Sequence, residues 1–320
     1  MDKIPIGISS CLLGERVRFD GGHKNSPYIS QTLAHYFEFK SFCPEMSIGL
    51  GVPRETIRLV RDASDANLIH CKGTKNPDLD VTEALTQCAS QQCDWIKHLS
   101  GYLVKKGSPS CGMERVKVYH PNGMPESSGS GLYTRTMMEQ FPHLPIEEEG
   151  RLGDAVLREN FIKRVFIYHR WRQMTENPHE PVTPNAIIEF HSRHKLIFMS
   201  HDQHMTKALG RLVSQIGDMP IETLCHDYLA QMTAIVRKPA TRKNHVNVLQ
   251  HIQGYLKRDL DSDDKQELNE VIEHYRLERL PLIVPITLLK HHFRKAPNQY
   301  IDDSYYLQPH PFELMLLNGL

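Results

Sequence analysis

The spacing of apolar residues changes once along this chain, and that change limits what it can fold into. Up to about residue 145, short apolar runs alternate with stretches of helical spacing. Beyond about residue 153 only helical spacing remains. At 320 residues the chain is long enough for two domains of ordinary size. The break falls at Pro145-Ile146-Glu147-Glu148-Glu149-Gly150, a polar run, so we expect one domain over 1–148 and a second over 149–320.

In the first part, Ile4 to Ser9, Phe39 to Cys43, Thr56 to Val60, Asn67 to Cys71 and Tyr102 to Val104 have the length and composition of strands. Pro27 to Glu38 and Val81 to Leu99 carry helical spacing. Alternation of this kind predicts an α/β domain, a mostly parallel sheet with helices against it. In the second part the spacing predicts helices over 154–177, 183–200, 218–236, 244–259 and 262–278, with a kinked or late-starting helix over 281–293. The second domain is therefore expected to be all-α.

No apolar run approaches the eighteen or so residues of a membrane helix. The run Met1 to Gly7 lacks the basic and apolar regions of a secretion signal. A cytoplasmic protein without a membrane partner is the expectation. The 38 basic and 38 acidic side chains cancel, which excludes a strong uniform field for nucleic acid and leaves local basic patches to be weighed.

Seven cysteines in a reducing compartment do not make a disulfide framework. Cys11, Cys43 and Cys111 share a setting: each follows a predicted strand and opens a turn rich in Gly, Pro or Ser. The C-terminal ends of parallel strands converge on one edge, where ligands bind. Three thiolates there suit an iron–sulfur cluster. The plainer reading of a cysteine, a small buried apolar residue, also stands, and Cys71, Cys88, Cys93 and Cys225 are assigned to it. Cys88 and Cys93 lie five apart on a helix and do not share a face.

Ser9-Ser10-Cys11-Leu12-Leu13-Gly14, Arg18-Phe19-Asp20-Gly21, Cys43-Pro44-Glu45, Gly51-Val52-Pro53-Arg54 and Ser108-Pro109-Ser110-Cys111-Gly112 together resemble the TudS family of thiouracil desulfidases, over roughly the first 145 residues. The later part resembles the YbgA family through Ser192-Arg193-His194-Lys195, Asn244-His245-Val246-Asn247-Val248-Leu249, Gly254-Tyr255 and Pro281-Leu282-Ile283-Val284-Pro285. The fused arrangement is similar to the RudS type, which the resemblance links to 4-thiouridine in tRNA. Phe19, and Ile48-Gly49-Leu50-Gly51 in place of a paired glycine, depart from the pattern without touching a ligand.

The resemblance implies a 4Fe-4S cluster with three protein ligands, Cys11, Cys43 and Cys111, and catalytic roles for Glu45 and Ser108. The implied reaction is a non-redox hydrolysis. An open iron binds the thiocarbonyl sulfur, Glu45 takes a proton from water attacking the ring carbon, and Ser108 positions that water or passes a proton to the ring. Ser10, Arg18 and Asp20 are assigned to the substrate pocket. Two plainer readings remain: Glu45 as a cap on the helix after Cys43-Pro44, and Ser108 as a turn residue.

In the helical part, Lys163, Arg164, Arg170 and Arg172 alternate with aromatic residues along one long helix. This fits an RNA-binding face and equally a core helix with solvated arginines. Arg237, Lys238, Arg242 and Lys243 flank Pro239 and are the better phosphate candidates. The pairs His191/His194, His201/His204 and His291/His292 are assigned to packing or polar roles. The partner expected is tRNA containing 4-thiouridine. Free thiopyrimidines, or a cluster-containing RNA-binding or sensor protein without turnover, are the alternatives.

Overall fold

The computed structural model describes residues 3–65, 67–311, 314, 316 and 317; Met1 and Asp2 of the N-terminal run lie outside them. The chain divides into two compact units, 1–153 and 154–320. An α/β fold occupies the first and a helical fold the second.

The first unit carries strands β1 (Ile4–Ser9), β2 (Phe37–Phe42), β3 (Ile57–Arg61), β4 (Ile69–Gly73), β5 (Tyr102–Val104), β6 (Val116–Tyr119), β7 (Pro125–Gly129) and β8 (Ile146–Glu148). They form two four-stranded sheets rather than one. The order β2-β1-β5-β8 is parallel throughout. The order β4-β3-β6-β7 is mixed, with β3 and β6 parallel and both outer pairs antiparallel. Ile4, Ile6 and Ile8 of β1 are buried, as a strand paired on both sides and covered on both faces demands.

Three stretches differ from the sequence expectation. The helix expected over 27–38 shrinks to single turns, Tyr28–Thr32 and Leu33–His35, because Phe37 already pairs with Ile4. After α1 (Pro44–Ser47), the helix expected over 81–99 breaks at Gln92 into α2 (Thr82–Gln91) and α3 (Cys93–Ile96). Past the break Trp95 packs on Phe42 and Tyr102, at ring separations of 5.9 and 6.2 Å. The unit closes with α4 (Leu132–Gln140). The polar run at 145–150 contains β8, a fully buried strand. Its carboxylates have partners: Arg151 Nε lies 2.6 Å from Glu147, and the Met113 N–H donates to Glu148 at 2.9 Å.

The second unit comprises α5 (Ala155–Thr175), α6 (Pro184–His201), α7 (Gln203–Val213), α8 (Ile221–Arg237), α9 (Arg242–Tyr255), α10 (Ser262–Arg276), α11 (Ile283–Lys295) and α12 (Gln299–Asp303). Side chains of Asp154, Thr183, Asp202, Thr241 and Asp261 cap the helices that follow them, each satisfying amides a helix start leaves open. Trp171 of α5 stacks on Tyr228 of α8 with ring centroids 4.9 Å apart. Around that pair lie buried histidines. His191 Nδ1 is 3.1 Å from the Tyr228 hydroxyl, His194 donates to the Phe190 carbonyl at 2.7 Å, and His201 donates to the Lys238 carbonyl at 2.6 Å.

Burial lowers these imidazoles to about 4 for His191 and about 3 for His194 and His201. The folded unit holds them neutral, whereas the unfolded chain protonates them near the ordinary value of about 6.5. Their contribution is therefore complete above that value and is lost as pH falls below it. Each is expected to remove about 2 kcal/mol between about pH 7 and pH 5. A Trp95→Phe variant leaves Trp171 as the reporter, and its urea midpoint should drop over that interval. A midpoint indifferent to pH would show that the histidines do not control acid stability.

Candidate functional site

Ser9, the last residue of β1, pairs in register with Phe42, the last residue of β2. The chain beyond Ser9 turns at once into Ser10–Leu13, closed by Gly14 at φ +97. Beyond Phe42, Cys43 opens α1 with Pro44 at the first helical position. Cys11 and Cys43 thus project from the ends of two paired strands. On the other side of β1, the chain leaving β5 passes Gly107, at φ +67, into a turn over 108–112. The Gly112 N–H donates to the Ser108 carbonyl at 2.8 Å there. Cys111 sits seven residues past the end of β5, a longer reach than for the other two. Gly131 lies against this turn so closely that an added Cβ would stand 2.5 Å from the Ser110 carbonyl.

Cys11, Cys43 and Cys111 line one cavity of about 340 Å³, together with Ser10, Arg18, Glu45, Arg54, Lys105 and Ser108. Cys71 and Cys88 are buried in the core, Cys93 faces Gln140 at 3.1 Å, and Cys225 lies on α8; none of the four lines this cavity. Among the described residues no three His, Cys, Asp or Glu side chains sit close enough to hold a single metal ion. A mononuclear site gathers its thiolates about one centre at ~2.3 Å, whereas a cluster carries each thiolate on its own iron. The three thiols that line this cavity are soft donors of the kind that iron–sulfur clusters take. Burial pushes the thiols up, Cys11 to about 11 and Cys43 and Cys111 in the same direction. They are thus protonated near neutral pH without a cation to stabilise the thiolates.

Glu45, on α1, reaches the same cavity. Arg54 Nε and Nη2 donate to its Oε2 at 2.9 and 2.6 Å. The guanidinium, only 5% exposed, also donates to the carbonyls of Gly51 at 2.7 Å and Val17 at 2.8 Å. Glu45 Oε1 accepts from the Ser110 hydroxyl and lies 3.5 Å from Ser108 Oγ. Ser108 Oγ accepts the N–H groups of Ser110 and Cys111 at 3.3 and 3.2 Å. With those lone pairs engaged and the Ser110 hydroxyl donating to Glu45, the Ser108 hydroxyl donates to Ser110 Oγ at 2.9 Å, which gives a chain Ser108–Ser110–Glu45. Ser108 faces the cavity; Ser110 is wholly buried behind it. Lys105 pairs with Glu149, and its N–H donates to Ser9 Oγ at 3.1 Å.

Of the pocket residues expected from sequence, Ser10 and Arg18 line the cavity. Asp20 does not. Its side chain is half exposed, accepts the Gly22 N–H at 3.0 Å and lies 3.8 Å from Arg18 Nε. Arg54 and Ser110 also belong to the site, and both lie within the motifs Gly51-Val52-Pro53-Arg54 and Ser108-Pro109-Ser110-Cys111-Gly112. Nothing in a one-dimensional pattern marks a residue nine positions along as the counter-charge of Glu45.

The long-helix basic face also needs correction. Lys163 is buried against Glu159 at 3.1 Å, and Arg172 is buried and pairs with Glu176. Arg170 stacks on Tyr305 at 3.7 Å and donates to the Pro309 carbonyl at 2.8 Å. Arg170 serves packing, Lys163 is turned inward toward Glu159, and Arg172 pairs with the exposed Glu176 at the end of its own helix; Arg164 on the same helix is half-buried. Around the loop from α8 to α9, Arg237 at the end of α8, Lys238 in the loop and Lys243 in the first turn of α9 are exposed, Lys238 pairing with Asp202 at 2.8 Å. Arg242 is half-buried over the Tyr275 ring.

A family model described as 2-thiouracil desulfurase matches residues 6–149. Another, described as a protein of unknown function (DUF1722), matches residues 195–311. The chain is 30% identical over 149 residues to the uncharacterized protein YbgA of Escherichia coli (strain K12), an alignment covering 46% of this chain and 86% of that protein. Among solved structures, it is similar to the 4Fe-4S-dependent thiouracil desulfidase TudS at 28% identity and a TM-score of 0.38, over 49% of this chain and 98% of that one. No helix among the described residues is long and apolar enough to cross a membrane.

Removing Arg54 would leave the Glu45 carboxylate buried without its counter-charge. Arg54→Ala is expected to cost about 3 kcal/mol, read as a lower urea midpoint of the first unit. Arg54→Lys should recover only part of it, because an ammonium cannot supply the same fork of donors. An unchanged midpoint in Arg54→Ala would show that this pair does not brace the site.

Proposed function

Because the chain belongs to the YbgA family and carries a TudS-like domain of the 2-thiouracil desulfurase type fused to that part, we propose that it is a thiouracil-type desulfidase whose substrate is 4-thiouridine in tRNA. The observation that carries this reading is one cavity lined by three cysteines, with Glu45 and Ser108 facing the same space. In this reading Cys11, Cys43 and Cys111 hold a 4Fe-4S cluster. When bound, such a cluster supplies a Lewis-acidic iron with affinity for soft thiocarbonyl sulfur.

The chain's own groups account for the rest. Arg54 fixes Oε2 of Glu45, which orients the carboxylate and turns Oε1 toward the serines. From there Glu45 takes a proton from a water directed at the ring carbon. Ser108, accepting two backbone N–H groups and 2.9 Å from Ser110 Oγ, positions that water within the Ser108–Ser110–Glu45 chain and keeps its own proton. The water oxygen replaces sulfur on carbon, sulfur leaves as hydrosulfide, and no electrons are exchanged. Arg18 and Lys105 place positive charge beside Cys11, which favours its thiolate form.

The exposed residues Arg237, Lys238 and Lys243 of the helical unit support a macromolecular substrate. Such a loop contacts backbone phosphates without reading sequence. Arg164, half-buried on α5, is a further candidate contact.

The deciding experiment is anaerobic: the iron- and sulfide-reconstituted protein is incubated with thiolated tRNA, and nucleosides and sulfide are quantified. Loss of 4-thiouridine with equal gains of uridine and sulfide is expected. Glu45→Gln should slow this by about 10² or more with iron content unchanged, and Cys43→Ser should lose iron. A combined Arg237→Glu and Lys243→Glu variant should raise KM for tRNA and leave free 4-thiouracil turnover as it is. If tRNA is untouched while free thiouracil is consumed, the tRNA substrate is wrong. Normal iron and sulfide in Cys43→Ser would overturn the ligand set.

A further inference from the structure

The helical unit contains a cavity of its own, about 280 Å³, between α5, the start of α9 and the end of α10. Ligand pockets start at roughly this size. Its wall is unusually polar for the interior of a helical fold. Lys163, with a side chain only 5% exposed, meets a single partner among the described residues, Glu159; the same carboxylate accepts the Leu317 N–H at 3.0 Å. An ammonium carries three donors, so two of those on Lys163 are left over. Asn160 is 7% exposed, and its Oδ1 has no hydrogen-bond partner among the described residues. Arg242 commits Nη1 to the Tyr275 carbonyl at 2.7 Å and lies 3.6 Å from Glu278, a largely exposed residue at the rim. His245, which faces the cavity, shares a hydrogen bond of 2.8 Å with the Tyr306 hydroxyl.

Buried polar groups without partners are costly, and here they share one wall. The uncommitted groups are several donors from two cations and one amide acceptor. Lys163 and Glu159 offset each other, and water screens the exposed Glu278, so Arg242 leaves a local positive excess. The complement of that set is an oxyanion carrying one donor of its own. Two sequence runs that desulfuration chemistry leaves unused also meet here, one supplying His245 and the other Leu282.

We propose that this cavity is a second binding site, for a phosphate monoester that also bears a hydroxyl or ring N–H group. The phosphate lies between Lys163 and Arg242 and the donor reaches Asn160. Free nucleotides and the phosphorylated end of an RNA strand share this chemistry.

The test is titration calorimetry on the full-length protein with uridine 5′-monophosphate, uridine and inorganic phosphate. The monophosphate is expected to bind saturably, with uridine at least tenfold weaker. Arg242→Gln should weaken it at least tenfold. Asn160→Leu should do the same while the thermal midpoint holds or rises, because it removes a buried acceptor that lacks a partner. The rise separates a binding role from a merely structural one. Undiminished affinity in Asn160→Leu, uridine binding as well as its monophosphate, or no saturable binding of any probe would overturn the site. A 5′-phosphorylated oligoribonucleotide that displaces the monophosphate, while its 5′-hydroxyl counterpart does not, identifies an RNA end as the source. Failure of both to displace it identifies a free nucleotide.

Discussion

Parallel pairing of β1 with β2 on one side and β5 on the other is the constraint from which the first unit's chemistry follows. Parallel neighbours must cross back over a face of the sheet, so their C-terminal ends share one edge. Ser9 and Phe42 meet in register at that edge, which brings the following residues, Cys11 and Cys43, to one cavity. A slip of one residue would send β1's isoleucines to the opposite face. Burial of Ile4, Ile6 and Ile8 therefore secures the cysteine placement as well as the sheet.

Around this frame, loops are tied down by charged groups taken almost out of water. Arg54 gathers Glu45 and the carbonyls of Val17 and Gly51 with a single guanidinium. Lys105 and Glu149 pair beside the turn, and the Glu149 carboxylate also accepts the Lys106 N–H at 2.6 Å. Buried ion pairs are poor sources of net stability. Their use here is geometric, because each hydrogen bond has one direction and rejects a displaced loop.

How far the sequence discloses this depends on whether a residue's partner is near in the chain. The strand ends carrying Cys11 and Cys43 were legible because an apolar run followed by a turn is a local signal. The helix starts at Asp154 and Thr183 were legible for the same reason. Arg54, Ser110 and the buried strand β8 were not, since each depends on a contact made only after folding. Glu147 and Glu148 look like surface residues until Arg151 and the Met113 amide are seen beside them. Lys163 and Arg170 mislead in the same way, as charged letters whose partners are internal.

The three cysteines come from segments of different sequence position, and this has a bearing on biosynthesis. A chain emerging from the ribosome presents Cys11 and Cys43 long before Cys111. An isolated pair of strands, however, is marginal in water, so β1 and β2 do not persist as a pair on their own. The strand that pairs with the other side of β1, β5, leads directly into the turn bearing Cys111. Stable convergence of the two strand ends thus waits for the part of the chain that also carries the third thiol.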